Sequence, residues 1–111
     1  MAYSASLALR IRQFVAGRSG VIEKGMFGGI GFLVNGNMLV GIWKNLLIAR
    51  IGPEAAESAL KEPNIVEFDI TGKPMKGWVM VEPDGLDADR DLAKWIELAE
   101  NFVSTLPPKT K

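Results

Sequence analysis

Apolar residues near the start of the chain recur at helical spacing. Leu7, Ile11, Phe14 and Val15 fall on one side of a wheel whose other positions hold Arg10, Arg12 and Gln13. The spacing predicts an amphipathic helix over 5–16, ending near Gly17. Between Lys24 and Lys44 the pattern changes, because nineteen consecutive positions carry no ionisable side chain. A membrane span there would put Asn35, Gly36 and Asn37 near the bilayer midplane among several glycines, which is poor chemistry for a helix in lipid. A hairpin uses the same residues well, since Asn35-Gly36 tolerates the positive φ of a type I′ turn. The turn pairs Val34 with Asn37, Leu33 with Met38, Phe32 with Leu39 and Gly31 with Val40. Lys44-Asn45 predicts a second tight turn that returns "LLIAR" (46–50) as a third antiparallel strand. Gly28 and Gly29 read as a bend or bulge in the first strand.

In "GPEAAESALKEP", Pro53 suits the first helical position, Glu54 and Glu57 favour the N-terminal dipole, and Pro63 stops the helix. Strands over about 65–70 and 77–82 follow, joined by "TGKPMK". Leu92, Trp95, Ile96, Ala99, Phe102, Val103 and Leu106 then recur at intervals of three and four. They start beside Asp87, Asp89 and Asp91, which complement the helix dipole, and stop at Pro107-Pro108. The resulting expectation is an α+β fold with a single sheet packed with helices. Its order is helix, three-stranded antiparallel meander, helix, two strands, helix. One domain covers residues 1–106, with 107–111 as a flexible tail.

The turn registers divide the meander into two faces. Leu33, Met38, Val40, Ile42, Leu47, Ala49 and Ile51 are expected under the helices. Ile30, Phe32, Val34, Leu39, Trp43, Leu46, Ile48 and Arg50 are expected on the other side. A small antiparallel sheet normally leaves one face polar. Two apolar faces imply that the second is covered by a helix of the chain, a ligand or another chain. Phe32, Leu39, Trp43, Ile48 and Arg50 are therefore the candidate interface, because aromatic side chains and Arg suit the centre of a protein contact.

Composition narrows the chemistry. Thirteen Lys and Arg balance thirteen Asp and Glu, so no net field draws the chain to nucleic acid or an anionic membrane. Arg10, Arg12 and Arg18 lack an aromatic stacking platform and are expected to solvate one short helical region. The chain holds neither Cys nor His, which excludes disulfides, thiol nucleophiles, thiolate or imidazole metal ligands and His-based triads. Arg10 and Arg12 interrupt the apolar core that a secretory signal needs, so a cytoplasmic location is expected. The glycines match neither phosphate-loop fingerprint, and Asp87, Asp89 and Asp91 lack the Gly and Glu of a calcium loop. The loop "DITGKPMK" gathers Asp69, Thr71, Lys73 and Lys76, an arrangement able to hold an anion or supply a base.

The stretches "EKGMFGGIGFLVNGNMLVGIW", "LLIARIGPEA" and "FDITGKPMKGWVMVEP", with a closing helix that ends "LPPK", resemble the TfoX N-terminal domain family and its small stand-alone members. The most specific parts are Met26, Phe27, Gly28 and Gly29, the Asn35-Gly36 hairpin, and "GKPMKG" (72–77). The resemblance implies the same order of elements. In the family, full-length TfoX (Sxy) proteins regulate competence for DNA uptake together with the cyclic-AMP receptor protein and carry a further C-terminal domain. The present residues end before such a domain, and the resemblance supplies no catalytic, cofactor or metal-binding residues. Gly25 and Asn37 stand where relatives often have a basic residue and His. The expected function is a non-enzymatic cytoplasmic interaction or regulatory domain. Its partner is another protein or a second copy, with no cofactor, no membrane and no direct contact to nucleic acid. The alternative is a small-molecule or anion-binding protein, or an enzyme, that uses the loop from Asp69 to Lys76.

Overall fold

The computed structural model describes residues 4–18, 20–26, 29–68 and 76–107. The Ser4 hydroxyl accepts a hydrogen bond from the Leu7 amide at 3.2 Å and opens helix α1 (Ala5–Val15), satisfying a donor that a helix start leaves free. Leu7, Ala8, Ile11 and Val15 form its buried face. Strands β1 (Val21–Met26), β2 (Gly29–Val34), β3 (Asn37–Trp43) and β4 (Leu46–Arg50) follow as successive antiparallel neighbours. Helix α2 (Pro53–Ala59) starts with Pro53 in its first turn, as expected. Then come β5 (Ile65–Glu67), β6 (Trp78–Val81), a turn of 3-10 helix (Pro83–Gly85) and helix α3 (Asp89–Val103). β6 inserts between β4 and β5, giving one six-stranded antiparallel sheet ordered β1-β2-β3-β4-β6-β5.

The α+β class and the three helices agree with the sequence expectation, but the first run of strands numbers four rather than three. The additional strand is β1, "VIEKGM", at the sheet edge. Ile22, Glu23, Lys24 and Gly25 are exposed there, so no clean apolar alternation announces it. The bend expected at Gly28 and Gly29 is corrected at Gly29, which starts β2 opposite Met26, while Gly28 lies outside the described residues. A Cβ on Gly29 would collide with the Ile42 carbonyl oxygen, so only glycine permits this approach of the two strands. Asn35 and Gly36 take φ of 54° and 82°, as a type I′ turn requires.

The register departs from regular alternation at one residue. Val34 pairs with Asn37 and Leu33 with Met38, but Phe32 pairs with Val40, Gly31 with Gly41 and Ile30 with Ile42. Leu39 is the extra residue of a β-bulge. One inserted residue exchanges the faces on either side of it. Ile30, Phe32 and Leu39 therefore join Val40, Ile42, Leu47, Ala49 and Ile51 in the helix-covered core, and Val34 packs against them. Leu33 and Met38 instead lie with Trp43, Leu46 and Ile48 in a second cluster. The expected division of faces is corrected at these six positions: Ile30, Leu33, Phe32, Val34, Met38 and Leu39.

Leu92, Trp95, Ile96, Ala99 and Val103 of α3, with Ala56 and Ala59 of α2, complete the larger core. The arginines expected only to solvate the surface tie this layer together. Arg10 donates to the Leu86 carbonyl at 2.7 Å and to Asp89 at 3.1 Å. Arg12 grips Glu23 through two bonds of 2.8 and 2.9 Å, and Arg18 reaches the Phe14 carbonyl and Glu100. Asp89 and Asp91 occupy the first turn of α3 as expected, with Ala88 at the N-cap. Buried Asn37 donates to the Pro107 carbonyl at 2.9 Å, fixing the chain just beyond α3.

Candidate functional site

Strand alternation assembles a second surface on the side of the sheet away from the helices. By register, Ile22 lies opposite Leu33, Leu33 opposite Met38, Trp43 opposite Leu46, Ile48 opposite Met80, Arg50 opposite Trp78, and Met80 also opposite Val66. Met38, Ile48, Phe68 and Met80 are buried at its centre. Leu33, Trp43, Leu46, Val66 and Trp78 pack around them, each half-buried.

The aromatic rings of this face are bordered by cations. Lys44 Nζ stands 4.6 Å from the Trp43 ring centre, and the Arg50 guanidinium lies 5.2 Å from that of Trp78 and 5.8 Å from that of Phe102, which belongs to α3 and packs against the helix-side core. Phe68 stacks on Trp78 with ring centres 5.3 Å apart. Lys24, opposite Gly31, belongs to the same face. Glu23 and Glu67 pair with Phe32 and Val79 and so belong to the helix side. Lys24, Lys44 and Arg50 are cations on this face or its margin, and exposed Glu82, which continues β6 past Val81 with its amide on the Asn64 carbonyl, adds one carboxylate at the end near Leu46. Hydrogen bonding from Arg12 holds the Glu23 carboxyl below the ordinary carboxylate value; burial opposes it, and the Arg12 charge adds to it.

The sequence-derived interface divides between the two faces. Trp43 and Arg50 lie half-buried on the outer face. Ile48 lies there too but is fully covered, so it supports the surface from beneath. Phe32 and Leu39, 0% and 1% exposed, belong to the opposite core. Trp78, Met80, Val66 and Phe68 were not identified from the sequence. The alternation in "WVMV" signals a strand, but nothing local says that it docks beside β4.

Of the expected ligand loop, Asp69, Thr71 and Lys73 lie outside the described residues. Lys76 is exposed at a cleft of about 350 Å³ whose lining includes Glu54, Glu57, Glu67 and Trp78. Three carboxylates in the lining of the same cleft offset the attraction of Lys76 for an anion. Of the family-type residues, Met26 and Gly29 pair where β1 meets β2, and Asn35 and Gly36 form the next turn. Phe27 lies outside the described residues, as does Gly28.

These features define a helix-backed antiparallel α+β domain with an apolar outer sheet face. Residues 13–103 match the TfoX N-terminal domain, and the chain belongs to that family. No curated protein and no solved structure matches it. Among the described residues no helix is long and apolar enough to cross a membrane.

Proposed function

We propose that this chain is a non-enzymatic regulatory domain that binds a protein partner through the outer face of its sheet. The observation that carries the reading is the half-buried group of Trp43, Leu46, Val66 and Trp78, with the cations Lys44 and Arg50 on its tryptophan rings. Aromatic side chains and Arg dominate the centres of protein contacts. Cations beside Trp43 and Trp78 favour a partner that brings carboxylates next to its apolar surface there. Membership of the TfoX N-terminal domain family supports a regulatory role, connected with competence or transcription. The anion-binding alternative has weaker support, because Glu54, Glu57 and Glu67 line the same cleft as Lys76.

A photo-crosslinking side chain placed at Trp43 or Leu46 in the native cell tests the reading. One protein is expected from both positions and not from exposed Asn101 on α3. Its binding to the isolated domain should fall at least tenfold with Trp43→Glu and weaken as salt is raised. Equal crosslinking from Asn101, or binding indifferent to Trp43→Glu, would refute it.

A further inference from the structure

We infer that two copies of this chain join edge to edge through β1, antiparallel about a two-fold axis at Ile22, into one continuous sheet. β1 is a terminal strand of the sheet, and among the described residues no strand pairs with its outer edge. It contains no proline and pairs with β2 without a register break, and its first three residues, Val21, Ile22 and Glu23, are the ones that meet their counterparts in the second copy. Such an edge offers a row of backbone donors and acceptors to an added strand. Ile22, at 58% the most exposed large hydrophobic side chain among the described residues, stands on it. Its partner in the sheet is Leu33, so it belongs to the outer face.

The occupant follows from the symmetry of the strand. Residues directly opposite one another share a face of the sheet, so a two-fold axis normal to the sheet must fall at a residue and not between two. Centring it on Glu23 opposes two carboxylates, and centring it on Lys24 opposes two ammonium groups; like charges so placed repel. Centring it on Val21 leaves Ile22 across from Gly20, and centring it on Gly25 carries Ile22 past the end of the partner's β1. Only the axis at Ile22 sets the two isoleucines against each other, with Glu23 opposite Val21 and Lys24 level with Gly20, a turn residue just outside β1. The apolar row Met38, Leu33, Ile22 then continues into the same row of the second copy. Arg12 holds Glu23 towards α1, on the side away from this row. The contact is separate from the partner-binding group around Trp43, and it turns both outer faces the same way.

The absence of cysteine makes the register directly testable. Opposite residues of an antiparallel pair have Cα atoms about 4.5–5.5 Å apart, within reach of a disulfide. Mild oxidation of Ile22→Cys is expected to give a disulfide-linked dimer, and oxidation of Lys24→Cys is not. By sedimentation, the unmodified chain and Trp43→Glu should both be dimers at a concentration where Ile22→Lys is a monomer with an unchanged circular dichroism spectrum. A wild type that is monomeric at every concentration would overturn the inference. So would a dimer that survives Ile22→Lys, a dimer abolished by Trp43→Glu, or equal crosslinking from Lys24→Cys. Failure of the partner contact alone leaves the dimer intact, so the two readings fail separately.

Discussion

Leu39 is 1% exposed, sits at the bulge between β2 and β3, and has no residue of β2 opposite it. Leu39→Ala removes a buried leucine side chain from the helix-covered core, at a cost of about 2–5 kcal/mol. For 111 residues the unfolding entropy is about 230 cal/mol/K, so Tm should fall by about 9–22 °C. Deleting Leu39 removes the same side chain and closes the bulge. Met38 and Val40 then become neighbours and point to opposite faces, as they already do, so the pairs Leu33–Met38 and Phe32–Val40 survive. The deletion should stay within about 1–2 kcal/mol of Leu39→Ala, the ordering cost of one backbone residue. Urea unfolding followed by tryptophan fluorescence measures both, and an unchanged m value shows that the same surface is exposed. In a hairpin of regular alternation the same deletion would turn every residue on one side of it to the wrong face. A deletion variant without a cooperative transition, beside a folded Leu39→Ala, would refute the bulge and the placement of Phe32.

Gly41→Ala should destabilise by about 1–3 kcal/mol, because the new methyl would stand 2.8 Å from the Ile30 carbonyl oxygen and against the end of Met38. Gly17→Ala, with open space around the added atom, is the neutral control; equal costs in thermal melts would contradict the close strand contact. Glu23→Gln tests the tie between α1 and β1. The folded pKa of Glu23 is lowered, so its stabilisation is present above the ordinary value of 4.5 and lost as pH falls through the lower folded value. For this solvent-exposed pair the wild type should exceed Glu23→Gln by about 0.2–1 kcal/mol near neutral pH at low salt, with the difference gone in acid. A difference that grows on acidification would contradict the assignment.

Elements whose local chemistry and burial agree were legible in the sequence. The three helices show apolar stripes or a proline start, and Asn35-Gly36 names its own turn. β1 was not legible, because an edge strand with Glu23 turned to Arg12 and Lys24 exposed need not alternate. The bulge was not legible either. Met38-Leu39-Val40 are apolar in succession and fit any register equally well; only the contacts with α3 decide which of them goes inside. This is why Trp43 and Arg50 were placed on the outer face correctly while Phe32 and Leu39 were not: errors on one side of a bulge do not propagate to the strand beyond it. The contribution of Trp78 and Met80 depended on β6 crossing β5 to reach β4, a long-range choice with no local marker.

The balanced charge conceals a division between the two sides of the sheet. On the helix side the cations meet carboxylates: Arg10 with Asp89, Arg12 with Glu23, Arg18 with Glu100, and Lys94 with Glu62. On the outer side Lys44 and Arg50 lie against the rings of Trp43 and Trp78. A cation on a ring covers apolar area in the free protein while keeping its charge near water. In the contact proposed above, the same cation would donate to a carboxylate of the partner as the ring is buried. Replacing Arg50 by Lys would keep the charge but lose the planar group that spans Trp78 and Phe102, so the two substitutions Arg50→Lys and Arg50→Ala separate stacking from charge.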